Sequence, residues 1–194
     1  KLIKSIKELK KKKVLLKDIS KNFGSHYSYI LKNINKNGVI KLDFILFLKD
    51  FYSIDLTKYI TYLETGHRTN RVLFPKELTK ELASIIGAIL ADGHIRYRET
   101  VGWNNRKPIH YELVLREEYL SNVNVFTNWF NHIFGTSIKY HKRINHYEFY
   151  VSNKALILFL DKILKIPVGR KTEIIDVPKY ISDSKLEIKI AFLK

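Results

Sequence analysis

The chain has 194 residues, with 35 lysines and arginines against 19 acidic side chains and a formal net charge of +16. That length buries one sizeable core, or a moderate core and a small one, and the cationic excess suits a polyanion, most simply nucleic acid, or else an anionic membrane surface. Cysteine is absent, which excludes a disulfide framework, a thiolate zinc site and a cysteine nucleophile.

No apolar run approaches bilayer-spanning length, and no signal-peptide core follows the lysine-rich start, so a soluble, cytoplasmic protein is the expectation. Methionine is missing even at position 1, which reads as a partial or processed chain.

Residues 1–64 read as a small helical domain. Leu2, Ile3, Ile6 and Leu9 recur at helical spacing before the solvated run Lys10 to Lys13. Leu15 to Ile34 then places Gly24 between two short amphipathic segments, one carrying Ile19 and Phe23, the other Tyr29 and Ile30. The stretch is similar to repressor-type helix-turn-helix domains. Ser25 would cap the second helix, and Ser25, His26, Tyr27 and Lys32 would face a major groove. A helical packing module without DNA contact is the plainer alternative. Gly38 to Leu56 adds a further helix, and the polar, basic residues 65–76 read as a linker into a second domain, 77–194.

That domain opens on a helix whose core is Ala83 to Gly93, with Glu77 and Glu81 near its positive end. At about 100° per residue, Ala83, Ser84, Gly87, Ala88 and Ala91 share one face, and Leu82, Ile85, Ile86, Ile89 and Leu90 fill the other. The small face invites close approach by a second helix; the bulky face fits a core. Asp92 follows at the negative end of the helix dipole, where a carboxylate is unfavourable without a cation nearby. Alternatively, Gly93 simply caps a buried helix and Asp92 points to solvent.

After Gly93 the period becomes two. His94, Arg96 and Arg98 alternate with Ile95, Tyr97 and Glu99; His110, Glu112, Val114 and Arg116 alternate with Tyr111, Leu113 and Leu115. Residues 102–108 make the turn between them. A helix over 121–134 carries an apolar stripe, and a second strand pair follows. There Lys139, His141 and Arg143 oppose Tyr140 and Lys142, while His146, Glu148 and Tyr150 alternate with Tyr147, Phe149 and Val151. A further helix spans 154–164. The order helix, hairpin, helix, hairpin, helix is an α+β unit with a four-stranded antiparallel sheet. Its outer face is biased toward cations and planar hydrogen-bonding groups. That mixture suits base readout with charge neutralisation, with Arg96, Arg98, Arg116, Lys139, His141 and Arg143 as candidate contacts. A merely solvated face is the plainer alternative.

Ile85 to Gly93, IIGAILADG, resembles the LAGLIDADG signature of homing endonucleases and their maturase relatives, keeping Gly87, Ala91, Asp92 and Gly93. Leu90 replaces the signature's first aspartate, a variable position. The resemblance implies an α-β-β-α-β-β-α half-domain whose sheet forms a saddle in the major groove of double-stranded DNA. It also implies a Mg²⁺-dependent nuclease active in intron homing, with Asp92 and the Ala91 carbonyl as metal ligands. Ala83, Gly87, Ala88 and Ala91 would pack against a second signature helix. GRKT, Gly169 to Thr172, and DVPKYI, Asp176 to Ile181, resemble the segment closing the first half of two-motif archaeal members; Lys171 matches a lysine near the scissile phosphate. In such relatives the run Ser182 to Lys194 leads into a second signature. The second half is therefore expected either from a continuing chain or from a second copy. Such domains often sit inside inteins, but this chain does not read as a complete one. Non-cleaving alternatives in the same family are RNA maturase-like proteins and transcriptional regulators.

Overall fold

The computed structural model describes residues 16–26, 28, 41–65, 71–100, 107, 109–169 and 176–194. The chain forms two compact units, Lys1–Ile60 and Thr61–Lys194. No described helix is long and apolar enough to cross a membrane.

In the first unit, α1 (Leu16–Phe23) and α2 (Leu42–Tyr52) share a small core of Ile19, Phe44, Ile45, Leu48, Ile54 and Leu56. Phe23 stands edge-on to Phe44 with centroids 5.1 Å apart. Gly24 ends α1 in the left-handed region, at φ +68°, the conformation a glycine adopts without penalty. The second helix expected of a helix-turn-helix falls on residues 27 and 29–40, so it lies outside the described residues, as do Tyr27 and Lys32.

The second unit is α+β. Inside the span read as a linker, β2 (Val72–Leu73) pairs antiparallel with β1 (Tyr62–Leu63), and Val72 is buried in the main core. Then come α3 (Lys80–Ala91), β3 (His94–Glu99), β4 (Ile109–Glu117), α4 (Leu120–Phe134), β5 (Lys139–Lys142), β6 (Tyr147–Val151), α5 (Lys154–Leu158), α6 (Lys179–Ser182) and α7 (Leu186–Phe192). The four longer strands form one antiparallel sheet in the order β3-β4-β6-β5.

Alternation decides which way each strand faces. Ile95, Leu113, Leu115, Phe149 and Val151 point into one core with Leu82, Ile85, Ile86, Ile89 and Leu90 of α3, Val123, Phe130 and Phe134 of α4, and Ala155, Leu156 and Ile157 of α5. Thr79 starts α3, its Oγ1 accepting from the Leu82 N–H at 3.2 Å. Asn153 starts α5 by accepting from the Ala155 and Leu156 N–H groups.

Two local features differ from the sequence reading. The helix expected through residue 164 widens into a π-helical turn over Phe159–Ile163, where the Leu164 N–H reaches the Phe159 carbonyl at 3.1 Å; Phe159, Leu160 and Leu164 are all buried there. Gly93 is not a left-handed cap, because positive φ occurs at Gly24, Gly135 and Gly169 among the described glycines. A Cβ at Gly93 would instead stand 2.7 Å from the Ile89 Cα and 2.8 Å from its carbonyl oxygen. Close packing onto the preceding turn is what demands glycine there.

Candidate functional site

The two faces of α3 do different work. Its bulky face is core; its small face receives α7. Ser84 Oγ donates to the Ala191 carbonyl at 2.7 Å, Lys80 pairs with Glu187 at 2.9 Å, and a Cβ at Gly87 would stand 2.0 Å from the Phe192 carbonyl oxygen. Contacts that rise together along both helices mean that α3 and α7 run in the same direction and nearly touch at Gly87. Ala83 is fully buried with Ile181 and Ala191. Ala88 packs instead at the margin of the main core, and Ala91 is exposed. Of the four residues expected at a helix interface, Ala83 and Gly87 sit in this seam.

Asp92 follows directly, exposed, its backbone N–H still bonded to the Ala88 carbonyl at 3.0 Å. Neither Asp92 nor Ala91 has a side-chain partner among the described residues. The Ala91 carbonyl is one of the last of the helix, which have no intrahelical donor. Two residues on, His94 begins β3. The Gly169 N–H ties to the Ile95 carbonyl at 2.8 Å, whereas Lys171 lies outside the described residues.

The register brings the outward cations together. Arg96 lies opposite Glu112, Arg98 opposite His110, Arg116 opposite Glu148, Lys139 opposite Tyr150 and His141 opposite Glu148. Arg98, Arg116, Lys139, His141 and Arg143 are exposed and Arg96 half-buried. The side chains of Arg116, Lys139 and His141 have no hydrogen-bond or ion-pair partner among the described residues. Arg143 Nε donates to Glu148 at 3.1 Å. Arg116, Lys142, Arg143, Ile144, His146 and Glu148 line an open groove at the β5–β6 end.

Glu112 is the residue that reading the sequence missed. It lies on this outer face yet has no exposed surface. Arg96 Nε donates to its Oε2 at 2.5 Å, and Arg98 Nη2 and the Tyr150 hydroxyl reach Oε1 at 3.0 and 2.6 Å. Burial opposes its charge, but the Tyr150 hydroxyl and the two arginines outweigh it and hold the carboxyl below the usual carboxylate range. Burial and the Glu112 carboxylate push the Tyr150 phenol up. Alternation alone puts Glu112 outward; nothing in one strand says that two other strands cover it.

In the first unit, Ser25 is half-buried, its carbonyl accepting from the Ser20 hydroxyl. His26 is exposed, with Nδ1 2.7 Å from Ser28 Oγ.

No family model matches the chain. The glutamine–fructose-6-phosphate aminotransferase (isomerizing) of Methanocaldococcus jannaschii is 39% identical over 79 residues, which are 40% of this chain and 7% of that protein. Solved structures of the homing endonuclease I-DmoI are similar at low scores. A mesophilic-variant structure aligns with TM-score 0.40 at 18% identity, over 60% of this chain and 58% of that one. The complex with DNA and Mn aligns with TM-score 0.41 at 18% identity, over 60% and 59%. The chain thus spans less than two thirds of these proteins.

Proposed function

We propose that this protein is a site-specific, divalent-metal-dependent double-strand DNA endonuclease of the LAGLIDADG homing type. The observation that carries the reading is the signature segment itself. It forms a helix whose small face lies against a parallel helix and whose end presents an exposed Asp92 two residues before a sheet with a cationic outer face.

Asp92 and the Ala91 carbonyl offer hard oxygen donors in open surroundings, which fits Mg²⁺, an ion that keeps several waters and takes few protein ligands. Bound there, such an ion would supply water activation and charge stabilisation for phosphodiester hydrolysis. Among the described residues no group of three or more His, Asp or Glu side chains could hold a metal, and this reading calls for a second carboxylate from a second half. Leu186, Ile190 and Leu193 support that requirement, forming an exposed apolar stripe at i, i+4 and i+7 along and just beyond α7. A second copy, or further chain, would cover it.

In this reading Arg116, Lys139, His141 and Arg143 neutralise phosphates and meet base edges across the sheet. By the family resemblance Lys171 would serve near the scissile phosphate, and Ser25, His26, Tyr27 and Lys32 of the first unit would add contacts. The same residues could equally serve a non-cleaving regulator or RNA maturase. A supercoiled plasmid library with Mg²⁺ decides between them. Wild type should linearise a subset of plasmids, and Asp92→Asn should bind that subset while cutting at least about 100-fold more slowly. Tight, salt-sensitive binding with no cleavage by either protein would establish the binding-only reading.

A further inference from the structure

Glu112 is out of place on the cationic face. A carboxylate removed from water is costly unless both oxygens are paired, and here both are: Oε2 by Arg96, Oε1 by Arg98 and Tyr150. What covers it are those same arginines, themselves 42% and 52% exposed. One carboxylate on β4 therefore ties down two arginines of β3 and a tyrosine of β6. Arg96 spends only its Nε and Arg98 only one terminal nitrogen, so both terminal nitrogens of Arg96, and Nε and Nη1 of Arg98, have no partner among the described residues.

A free arginine has to be ordered when it binds, at a cost in affinity and precision; a guanidinium already fixed by a carboxylate presents its remaining donors in one direction. As a bulk charge Glu112 works the other way, because it cuts the cluster from +2 to +1 and weakens attraction to a polyanion. A residue that opposes attraction but fixes geometry belongs to discrimination.

We propose, resting on the DNA-binding reading above, that Glu112 is a positioning residue that holds Arg96 and Arg98 as a fixed pair for reading one duplex over others. Tyr150 steadies the carboxylate, and Glu112 itself touches no base.

The test uses the full chain and two duplexes of equal length: one enriched by wild type from a random library, one of scrambled sequence. Glu112→Gln keeps the shape and removes the charge. Its preference for the enriched duplex should fall at least about 10-fold, while scrambled-duplex affinity holds or rises and the salt slope steepens by up to about 0.9. Tyr150→Phe changes no charge, so its preference should fall severalfold at unchanged slope; it decides alone if Glu112→Gln does not fold. Preference undiminished in both variants, or affinity reduced equally for both duplexes, overturns the positioning role while leaving DNA binding intact. A wild type that enriches no duplex overturns both readings.

Discussion

Glu112 and Tyr150 contribute to opposite limbs of the pH profile of the second unit, where the Tyr97 and Tyr180 phenols are raised as well. Glu112 is lowered below its unfolded value, so its contribution is fully present above about pH 4.3 and is lost as pH falls through the folded value. Tyr150 is raised, so its contribution is present below about pH 10 and is lost as pH climbs through its own folded value. Glu81 and Glu187 of this unit are lowered as well, which makes the acid limb of wild type a composite. Comparison with Glu112→Gln isolates one share. Both tryptophans, Trp103 and Trp129, lie in the second unit, so tryptophan fluorescence in urea reports that unit alone. At pH 7 the variant should be less stable by about 1–2 kcal/mol, discounted for the half-exposed arginines. That gap should close as pH drops below the carboxylate range. A gap that persists in acid would mean that the charge of Glu112 contributes nothing.

The contact between α3 and α7 can be judged by the sign of one substitution. Alanine in place of a mid-helix glycine ordinarily stabilises by about 0.5–1 kcal/mol. At Gly87 the added Cβ meets a backbone oxygen 2.0 Å away, so the helices must part. Gly87→Ala is therefore expected to cost about 1–3 kcal/mol. Ser84→Ala removes the bond to Ala191, a bond already broken once the helices have parted, so the double variant should fall short of additivity by at least about 0.5 kcal/mol. A gain in stability from Gly87→Ala would show that α7 does not sit there. Much of this architecture was legible beforehand. The inward set Ile95, Leu113, Leu115, Phe149 and Val151 and the two faces of α3 follow from period alone, because alternation and helical pitch are local properties. The occupant of the small face was not legible: packing partners 107 residues apart leave no local trace, and α7 fills a place expected for a second signature helix. Glu112 escaped for the same reason, since its burial exists only once β3 and β6 are in register beside it. Asp92 was legible as an exposed helix end, and its metal role is still carried by the resemblance.

Charge is divided unevenly over the molecule, and by type as well as amount. Residues Lys1–Ile60 carry 14 lysines and no arginine against 5 acidic side chains, a net +9, while Thr61–Lys194 carry 21 basic against 14 acidic, a net +7 on more than twice the length. Every arginine lies in the second unit. Lysine is a hydrated point charge suited to phosphates, whereas the arginine fork recognises base edges. In the proposed DNA-binding reading, the first unit would supply charge and the arginines of the second would add base contacts to it. Each has its own core, so residues 61–194 are expected to fold alone. That fragment should bind any duplex more weakly than the full chain, with the slope of log affinity against log salt shallower by about 0.9 for each phosphate that the helical unit no longer neutralises. Its preference for the enriched duplex over the scrambled one should survive, because the arginines and the carboxylate that orients two of them are all retained. Titrations of both proteins from 50 to 200 mM salt measure slope and preference together. If the fragment keeps the full slope and loses the preference, recognition resides in the helical unit and the sheet supplies only charge.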